Sequence, residues 1–391
     1  MTKLNLHKKA LFFISQNKKC TAFNLVSKRK IVGGEILANV LALCNGSNTK
    51  NAILDKFDIG LRLSVESAID TLAEMQIIEY KAFENEGITY EEVSKFYLSL
   101  TQNCNLHCDF CINGRSTNAF TKELSVNRWI EIVEAISKFN SKEKTVYLTG
   151  GEPLMHHGFE SIYKYLVKQN IKVNIFTNGT LIKKGTIDLF AIYPPNAILI
   201  SVDGSKSETH DKMRGMDGAF NAIQENIKNL IDRGNQTKVL WQCVVDERNF
   251  HDVENIINLA VEYGVTSVRF GVVSEIGNGK NSNALLDENK LMQLYKNLSI
   301  LKQRYRAYIT INRSIEDIDV STGSYSCGIG EMIHISSDGF ATPCYGLNGD
   351  KYKRGPIRDV SSLHNAGIAE LYNYNHVTRN RICRQIEYQV K

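Results

Sequence analysis

Apolar positions fall into three stretches of different period along the chain. Over residues 1–93 the periods are mixed. Ala10–Ile14 and Thr21–Val26 are short strand-like runs joined by a polar stretch. Gly34–Leu43 has helical spacing and is closed by Asn45-Gly46, a helix-ending turn. Thr49–Phe57 reads as a short second helix. In Ser64–Met75, Val65, Ala68, Ile69, Leu72 and Ala73 share one face of a third. Ile77–Tyr80 reads as a closing strand. Two strands, three helices and this closing strand predict a winged-helix-like α+β domain.

Over residues 94–310 strands and helices alternate. Strands are predicted at Phe96–Leu100, Thr145–Leu148, Lys172–Phe176, Ala197–Val202, Val239–Val245 and Ser267–Val273. Between them, Phe220, Ile223, Ile227 and Leu230 recur at helical spacing, as do Val253, Ile256, Ile257, Ala260 and Val261. Ser125 stands where an N-cap belongs, ahead of Trp129, Ile132, Val133 and Ile136. Trp129 and Trp241 read as core. Six βα units predict an α/β fold, a partial (β/α)6 TIM-like barrel with ligands at the C-terminal ends of its strands. Residues 311–391 form a small third region. There Ile333–Ser336, the turn Ser337-Asp338-Gly339 and Phe340–Thr342 predict a hairpin.

Composition narrows the class. Of 391 residues, 43% are hydrophobic and 23% charged, which is ordinary globular usage and excludes a disordered or fibrous chain. No apolar run approaches the ~20 residues that span a bilayer, and the basic, briefly apolar start is too short for a signal-peptide core. The expectation is a cytoplasmic protein with no membrane partner. Net charge is +5 with the basic residues dispersed. That argues against a nucleic-acid partner and is compatible with an acidic peptide or electron carrier.

The nine cysteines change the picture. An odd count without an export signal argues against a disulfide framework. Cys20, Cys44 and Cys243 stand singly in apolar surroundings and read as small buried hydrophobes. Cys104, Cys108 and Cys111 form a C-x3-C-x2-C array just after the first barrel strand. Zinc is the plain alternative, but a closed zinc site needs a fourth ligand, and His107 reaches it only by straining a short loop. Three thiolates on a four-iron cluster leave one iron open, which makes an iron–sulfur cluster the better reading.

With aromatic Phe110 before its last cysteine, this array resembles the signature of radical S-adenosylmethionine (SAM) enzymes. The resemblance implies a [4Fe-4S] cluster on Cys104, Cys108 and Cys111, whose open iron chelates the amino and carboxylate groups of SAM. Reductive cleavage of SAM then gives a 5′-deoxyadenosyl radical that abstracts hydrogen from the substrate. Strand-end motifs follow the same pattern. Thr149-Gly150-Gly151-Glu152-Pro153 matches the segment that contacts the SAM amino group, its paired glycines allowing close backbone approach. Asn178 in Thr177-Asn178-Gly179, and Ser201 and Asp203 in Ser201-Val202-Asp203-Gly204, offer polar groups to a ribose. Arg214, in His210-Asp211-x-x-Arg214-Gly215, is suited to the SAM carboxylate. Gly271-Val272-Val273 stands where the family packs backbone on adenine. His156-His157 reads as solvated surface.

Both ends narrow the resemblance. The N-terminal domain looks like the winged-helix peptide-recognition (PqqD-like) element of maturases of ribosomally made peptides, which add a leader peptide as an extra strand. Cys327-Gly-Ile-Gly followed by Ser336-Ser-Asp-Gly339-x4-Cys344 resembles the opening of a SPASM or twitch domain. Cys327, Cys344 and Cys383 are then ligands of one auxiliary iron–sulfur cluster, the alternative being a segment that has lost its metal; a second cluster cannot be built. The chain lacks the further cysteines of a full SPASM pattern, with Ile386 where a Cys-x2-Cys partner would stand. Tyr345 stands where sulfatase-maturing members carry an aspartate.

The implied enzyme installs a thioether or carbon–carbon crosslink in a precursor peptide, using a reducing electron carrier. The alternatives are a peptide epimerase with Cys383 as hydrogen donor, a small-molecule dehydrogenase or cofactor-assembly enzyme, and a non-catalytic peptide-binding scaffold.

Overall fold

The computed structural model describes residues 3–6, 10–14, 20–24, 30–44, 48–81, 93–114, 123–139, 141, 143–233, 237–273, 277–313, 332–342, 355–359 and 362–363. Two compact units are present. The described part of the first is N-terminal; that of the second lies between Val93 and Arg313 and in residues 332–342, 355–359 and 362–363.

In the first unit, β1 (Lys3–Leu6) is followed by β2 (Ala10–Ile14), β3 (Cys20–Asn24) and β4 (Lys30–Gly33), then α1 (Glu35–Leu43), α2 (Lys50–Leu54), α3 (Arg62–Glu74) and β5 (Ile78–Lys81). β2, β3 and β4 form an antiparallel meander, and β1 pairs with β5 from Lys3↔Lys81 to Leu6↔Ile78. Leu4, Leu37, Val40, Leu41, Ile53, Val65, Ile69 and Leu72 build its core. Thr49 caps α2, its hydroxyl accepting from Ala52 N at 3.2 Å. The three helices fall where the spacing predicts. β1 and β4 go unpredicted, since four residues such as Lys3-Leu-Asn-Leu6 are too few to establish an alternation. The turn Asn45-Gly46 lies outside the described residues.

The second unit is built on a nine-stranded sheet. Its strands are β6 (Lys95–Thr101), β7 (Thr145–Gly150), β8 (Lys172–Thr177), β9 (Ala197–Ser201), β10 (Lys238–Val245), β11 (Ser267–Val272), β12 (Thr310–Arg313), β13 (Met332–Ile335) and β14 (Ala341–Thr342). Spatial order is β12-β11-β10-β9-β8-β7-β6-β13-β14, every pairing parallel except β13 with β14. The helices between them are α4 (Val126–Lys138), α5 (Phe159–Lys168), α6 (Lys184–Ile192), α7 (Ser207–Arg214), α8 (Ala219–Asp232), α9 (Val253–Glu262) and α10 (Glu288–Arg304). From β6 to β12 each strand is laid beside its predecessor in one direction. Right-handed crossovers therefore put these helices on one face and leave the other as an inner face.

All six predicted strands are present. The sheet is larger than the six-stranded expectation because β12 joins β11, and the predicted hairpin, β13 and β14, attaches to the other edge beside β6. Edge strands of two to four residues carry too little periodicity to be assigned to a sheet in advance.

The outer face holds the core. Trp129 and Trp241 are buried as predicted, with Ile132, Ile162, Ile223, Ile256 and Ile257 on the helices and Val146, Leu148, Ile175, Ile198 and Val268 on the strands. Cys243 and Cys44 are buried, as expected of small hydrophobes. Ser125 caps α4, accepting from Arg128 N at 3.4 Å. No helix among the described residues is long and apolar enough to cross a membrane.

Candidate functional site

The loop that follows β6 carries the three cysteines and is tied to the ends of several other strands. Gly151 N donates to Thr101 O at 2.8 Å and Glu152 N to Asn103 O at 2.8 Å, joining it to the end of β7. The paired glycines make this possible. A Cβ on Gly150 would meet Thr101 O at 2.3 Å, and one on Gly151 would meet Asn103 O at 2.2 Å. The close approach predicted for a ligand is thus used first by the backbone of the cysteine loop itself.

Asn178, just past β8, donates to Asn105 Oδ1 at 2.8 Å and lies 3.9 Å from Cys104 Sγ. The end of α7 makes a third tie, His107 N donating to Arg214 O at 2.9 Å. Gly215 follows at φ 64°, and a Cβ there would meet His107 O at 2.6 Å. A fourth comes from beyond β11, where Asn278 donates from its backbone to Cys111 O at 2.9 Å and from its side chain to Cys108 O at 3.3 Å.

Glu152 and Asp203 are two of the buried carboxylates at this rim. Glu152 is fully buried and accepts from Thr177 Oγ1 at 2.8 Å, Asn178 N at 2.7 Å and Leu154 N at 3.1 Å. Burial outweighs these donors and pushes its carboxyl up to about 7. Asp203 is also fully buried. One of its oxygens accepts from Val244 N at 2.8 Å and the other lies 2.6 Å from Arg214 Nε. Burial alone would lower Arg214, but the charges of Asp203 and Cys108 outweigh it and hold the guanidinium cationic.

Arg214 Nη1 is 3.8 Å from Cys108 Sγ, and its guanidinium carbon lies 5.4 Å from the centre of the Phe110 ring. Asp203 is therefore sequestered against Arg214 rather than open to a ribose, and Arg214 faces Asp203, Cys108 and Phe110. His210 is buried as well. Its Nδ1 accepts from Asp203 N at 3.2 Å, and burial lowers it to about 3, so the ring is neutral. Ser201 ends β9, half-buried.

Several residues here escape the motif reading. Arg248, beyond β10, makes a two-pronged contact with Asp109 at 2.7 and 2.9 Å, is paired to fully buried Asp246, and lies 5.9 Å from the Phe110 ring centre. Phe110 thus has two guanidinium groups at its ring, Arg214 and Arg248. Asn249 donates to Asp203 O at 2.8 Å and Val244 O at 2.9 Å. The signal was available, since Asp246-Glu-Arg-Asn249 follows a predicted strand at the end where the other motifs lie. His156 corrects an expectation. It is buried, not solvated, with Nδ1 accepting from Gly158 N at 3.1 Å and its ring stacked on His157. Cys327, Cys344 and Cys383 lie outside the described residues.

The donor set fits a cluster. The three thiols are partly exposed on one pinned loop. Burial pushes Cys104 and Cys108 up while Arg214 opposes it at Cys108, so iron bound to the thiolates would relieve an unfavourable ionisation. Among the described residues no three His, Cys, Asp or Glu side chains are gathered for a single ion. A cubane needs no such convergence, because each thiolate binds a different iron.

Residues 98–273 match the radical SAM superfamily. They form a radical SAM domain. Members of this superfamily are enzymes that use a [4Fe-4S] cluster and S-adenosylmethionine. The chain is 26% identical over 251 residues to the sporulation killing factor maturation protein SkfB of Bacillus subtilis, covering 63% of this chain and 59% of SkfB. It is 30% identical over 183 residues to the antilisterial bacteriocin subtilosin biosynthesis protein AlbA of the same organism, covering 46% of this chain and 40% of AlbA. The chain thus spans about half the length of these relatives. In fold it is similar to Streptococcus suis SuiB bound to S-adenosylmethionine, with a TM-score of 0.59 at 15% identity over 96% of this chain and 90% of SuiB. SuiB is also known bound to its precursor peptide SuiA, a structure to which this chain is similar at 17% identity, with a TM-score of 0.59 over 95% of this chain and 90% of SuiB.

Proposed function

We propose that this chain is a peptide maturase of the cytoplasm that modifies a ribosomally made precursor peptide through radical SAM chemistry. The observation that carries the reading is the cysteine loop, tied by hydrogen bonds to the ends of β7, α7 and the loop after β11 and flanked by Arg214. The peptide substrate is supported by the names of SkfB and AlbA.

Cys104, Cys108 and Cys111 would hold the cluster. Gly150, Gly151, Glu152, Asn178 and Ser201 would surround SAM at the strand ends, with Phe110 packed beside the loop. Bound there, the two groups supply one-electron cleavage of a carbon–sulfur bond and, from it, hydrogen abstraction. The chain's own part is to fix the loop, keep Arg214 charged beside Cys108 through Asp203, and limit water at the rim with Phe110 and the buried Glu152. Arg214 and Asp203 act on SAM through the cluster loop. The first unit would present the peptide's leader, an external electron carrier would reduce the cluster, and Cys327, Cys344 and Cys383 would hold one auxiliary cluster. The product would be a thioether or carbon–carbon crosslink.

Oxygen-free reconstitution tests this. The chain is expected to take up iron and sulfide and to release 5′-deoxyadenosine from SAM, and Cys104→Ala to do neither. A colourless chain, or cleavage that survives Cys104→Ala, overturns the assignment. With a peptide substrate, mass spectrometry reads the outcome directly, since a crosslink removes a pair of hydrogens. An unchanged formula with deuterium taken from heavy water would instead indicate epimerisation.

A further inference from the structure

The inner face of the sheet has two kinds of wall. On β6, β7 and β8 it is aromatic. Tyr97 and Tyr147 stack with centroids 4.4 Å apart, and Phe176 lies 5.9 Å from Tyr147. On β9 to β12 it is polar. Ser201, Gln242, Arg269 and Asn312 are successive register neighbours across these four strands.

The residues one position earlier fix the direction of this row. Ile200, Trp241, Val268 and Ile311 are buried, and the Trp241 ring lies 6.1 Å from that of Tyr263, just past α9. That row faces the helices, so the next faces inward.

Two members of the inward row are open. Among the described residues the Arg269 side chain has neither ion pair nor hydrogen bond, although it is half-buried. Gln242 Oε1 is buried with no partner. Elsewhere in the domain the half-buried or buried guanidinium groups are matched, Arg214 by Asp203 and Arg248 by Asp246 and Asp109. Glu152 and Asp203 are engaged by donors within the rim, and neither pairs with Arg269. An unmatched cation and an unmatched acceptor side by side call for one ligand that carries an anion and an N–H donor. An acidic residue in a peptide carries both. Its carboxylate suits the fork of a guanidinium and its backbone N–H suits an amide oxygen.

We infer that Arg269 and Gln242 form a carboxylate-binding subsite on the inner face, which takes an acidic side chain of the peptide. The inference rests on the peptide-substrate reading above and adds the class of residue recognised. SAM also carries a carboxylate, but the family resemblance assigns that group to the open iron.

The test is arginine labelling of the oxygen-free, reconstituted full chain with phenylglyoxal, the rate at Arg269 being read by peptide mass spectrometry. The probes are SAM alone, an N-acetylated tripeptide amide with a central glutamate, and the same tripeptide with glutamine. Expected is open labelling without ligand and protection by the glutamate peptide at concentrations about tenfold lower than by the glutamine peptide. That factor corresponds to one charge-assisted hydrogen bond of about 1.4 kcal/mol.

Equal protection by both peptides, or by neither, overturns the subsite. So does protection by SAM alone that equals that of the glutamate peptide, which would assign Arg269 to the cofactor. An Arg269 that resists labelling without ligand overturns it too, because its charge is then already met. Iron content and 5′-deoxyadenosine release are measured on the same material. Their loss would indict the radical SAM reading, and their persistence alongside a failed protection would indict the subsite alone.

Discussion

Glu152, at the end of β7, is fully buried among three hydrogen-bond donors with no cation among its partners, while Asp203, past the end of β9, is fully buried against Arg214. Both sit at the rim that carries the cysteine loop, yet they solve the cost of burial differently. Neutral donors leave Glu152 near 7, so its charge follows pH through the neutral range. An ion pair fixes the charge of Arg214 beside Cys108 whatever the pH. Burial pushes the Asp203 carboxyl up as well, with Arg214 opposing it. On this side of the rim it is therefore the guanidinium whose charge is constant, while Glu152 titrates on the other. A constant positive charge next to Cys108 favours the thiolate form in which a cysteine binds metal.

The sharpest way to break this contrast is Arg214→Met. It leaves Asp203 buried without its cation, and removing one partner of a buried pair costs about 3–5 kcal/mol. Chemical denaturation of the full chain should show that loss, and iron uptake should weaken. Restoring neutrality with Asp203→Asn in the same chain should recover much of the stability without recovering the charge at Cys108. A single variant as stable as the parent would mean that the pair is not buried in solution.

Glu152 supplies the next effect, and its direction is fixed. Its folded carboxyl lies at about 7 against an ordinary 4.5, so between these values the folded chain holds a proton that the unfolded chain has lost. Stability from this group is therefore full below pH about 4.5 and is lost as pH rises through about 7, a change on the order of 3 kcal/mol. Glu152→Gln removes the slope. It also carries a pH-independent cost of about 1–3 kcal/mol, because an amide nitrogen must face the donors that the carboxylate accepts. Denaturation of SAM-free chain at several pH values should show the parent-minus-variant difference shrinking as pH rises. A flat difference would place Glu152 in an environment that does not perturb it.

His210 runs the other way. Burial holds it neutral, with a folded value of about 3 against 6.5, so below 6.5 the unfolded chain takes up a proton that the folded chain refuses. Stability falls as pH drops from 6.5 toward 3, by about 2 kcal/mol at pH 5. His210→Asn keeps an acceptor for Asp203 N and should remove that fall. Over the same acid range, Glu152 and His210 should therefore show differences of opposite sign.

Much of this was legible in advance, and the reasons are local. The six long strands declare themselves because each carries several apolar residues between turn signals, and the cysteine array and Gly150-Gly151-Glu152 stand out by spacing. The partners of those motifs are harder to read. Arg214 is visible in the sequence, but its engagement with Asp203 and Cys108 depends on how far α7 turns back over the loop. The tie of Arg248 to Asp109 spans 139 positions and has no periodic signature. His156 illustrates the converse, since a histidine pair looks solvated, yet only His157 is exposed while the His156 ring is buried against Gly158 N and stacked on His157. Outer-face packing follows from hydrophobic pattern, whereas rim chemistry follows from contacts among residues far apart in the chain.

The smallest expected effect separates the two cations at Phe110. Arg248 is held by fully buried Asp246 and by Asp109, which is more than half exposed. Water screens the second contact, so Asp109→Asn should cost no more than about 1 kcal/mol, and less in high salt. The guanidinium keeps Asp246 and therefore stays beside Phe110, while the cysteine loop loses one of its side-chain anchors between Cys108 and Cys111. Stability should hardly move. Hydrogen exchange at the amides of Leu106 to Ile112 in the metal-free chain should quicken, since that stretch keeps its backbone ties to Arg214 and Asn278 but loses the bridge to the loop after β10. Exchange that is unchanged would show that the remaining ties hold the loop, and that Arg248 acts on Phe110 without acting on the cysteines.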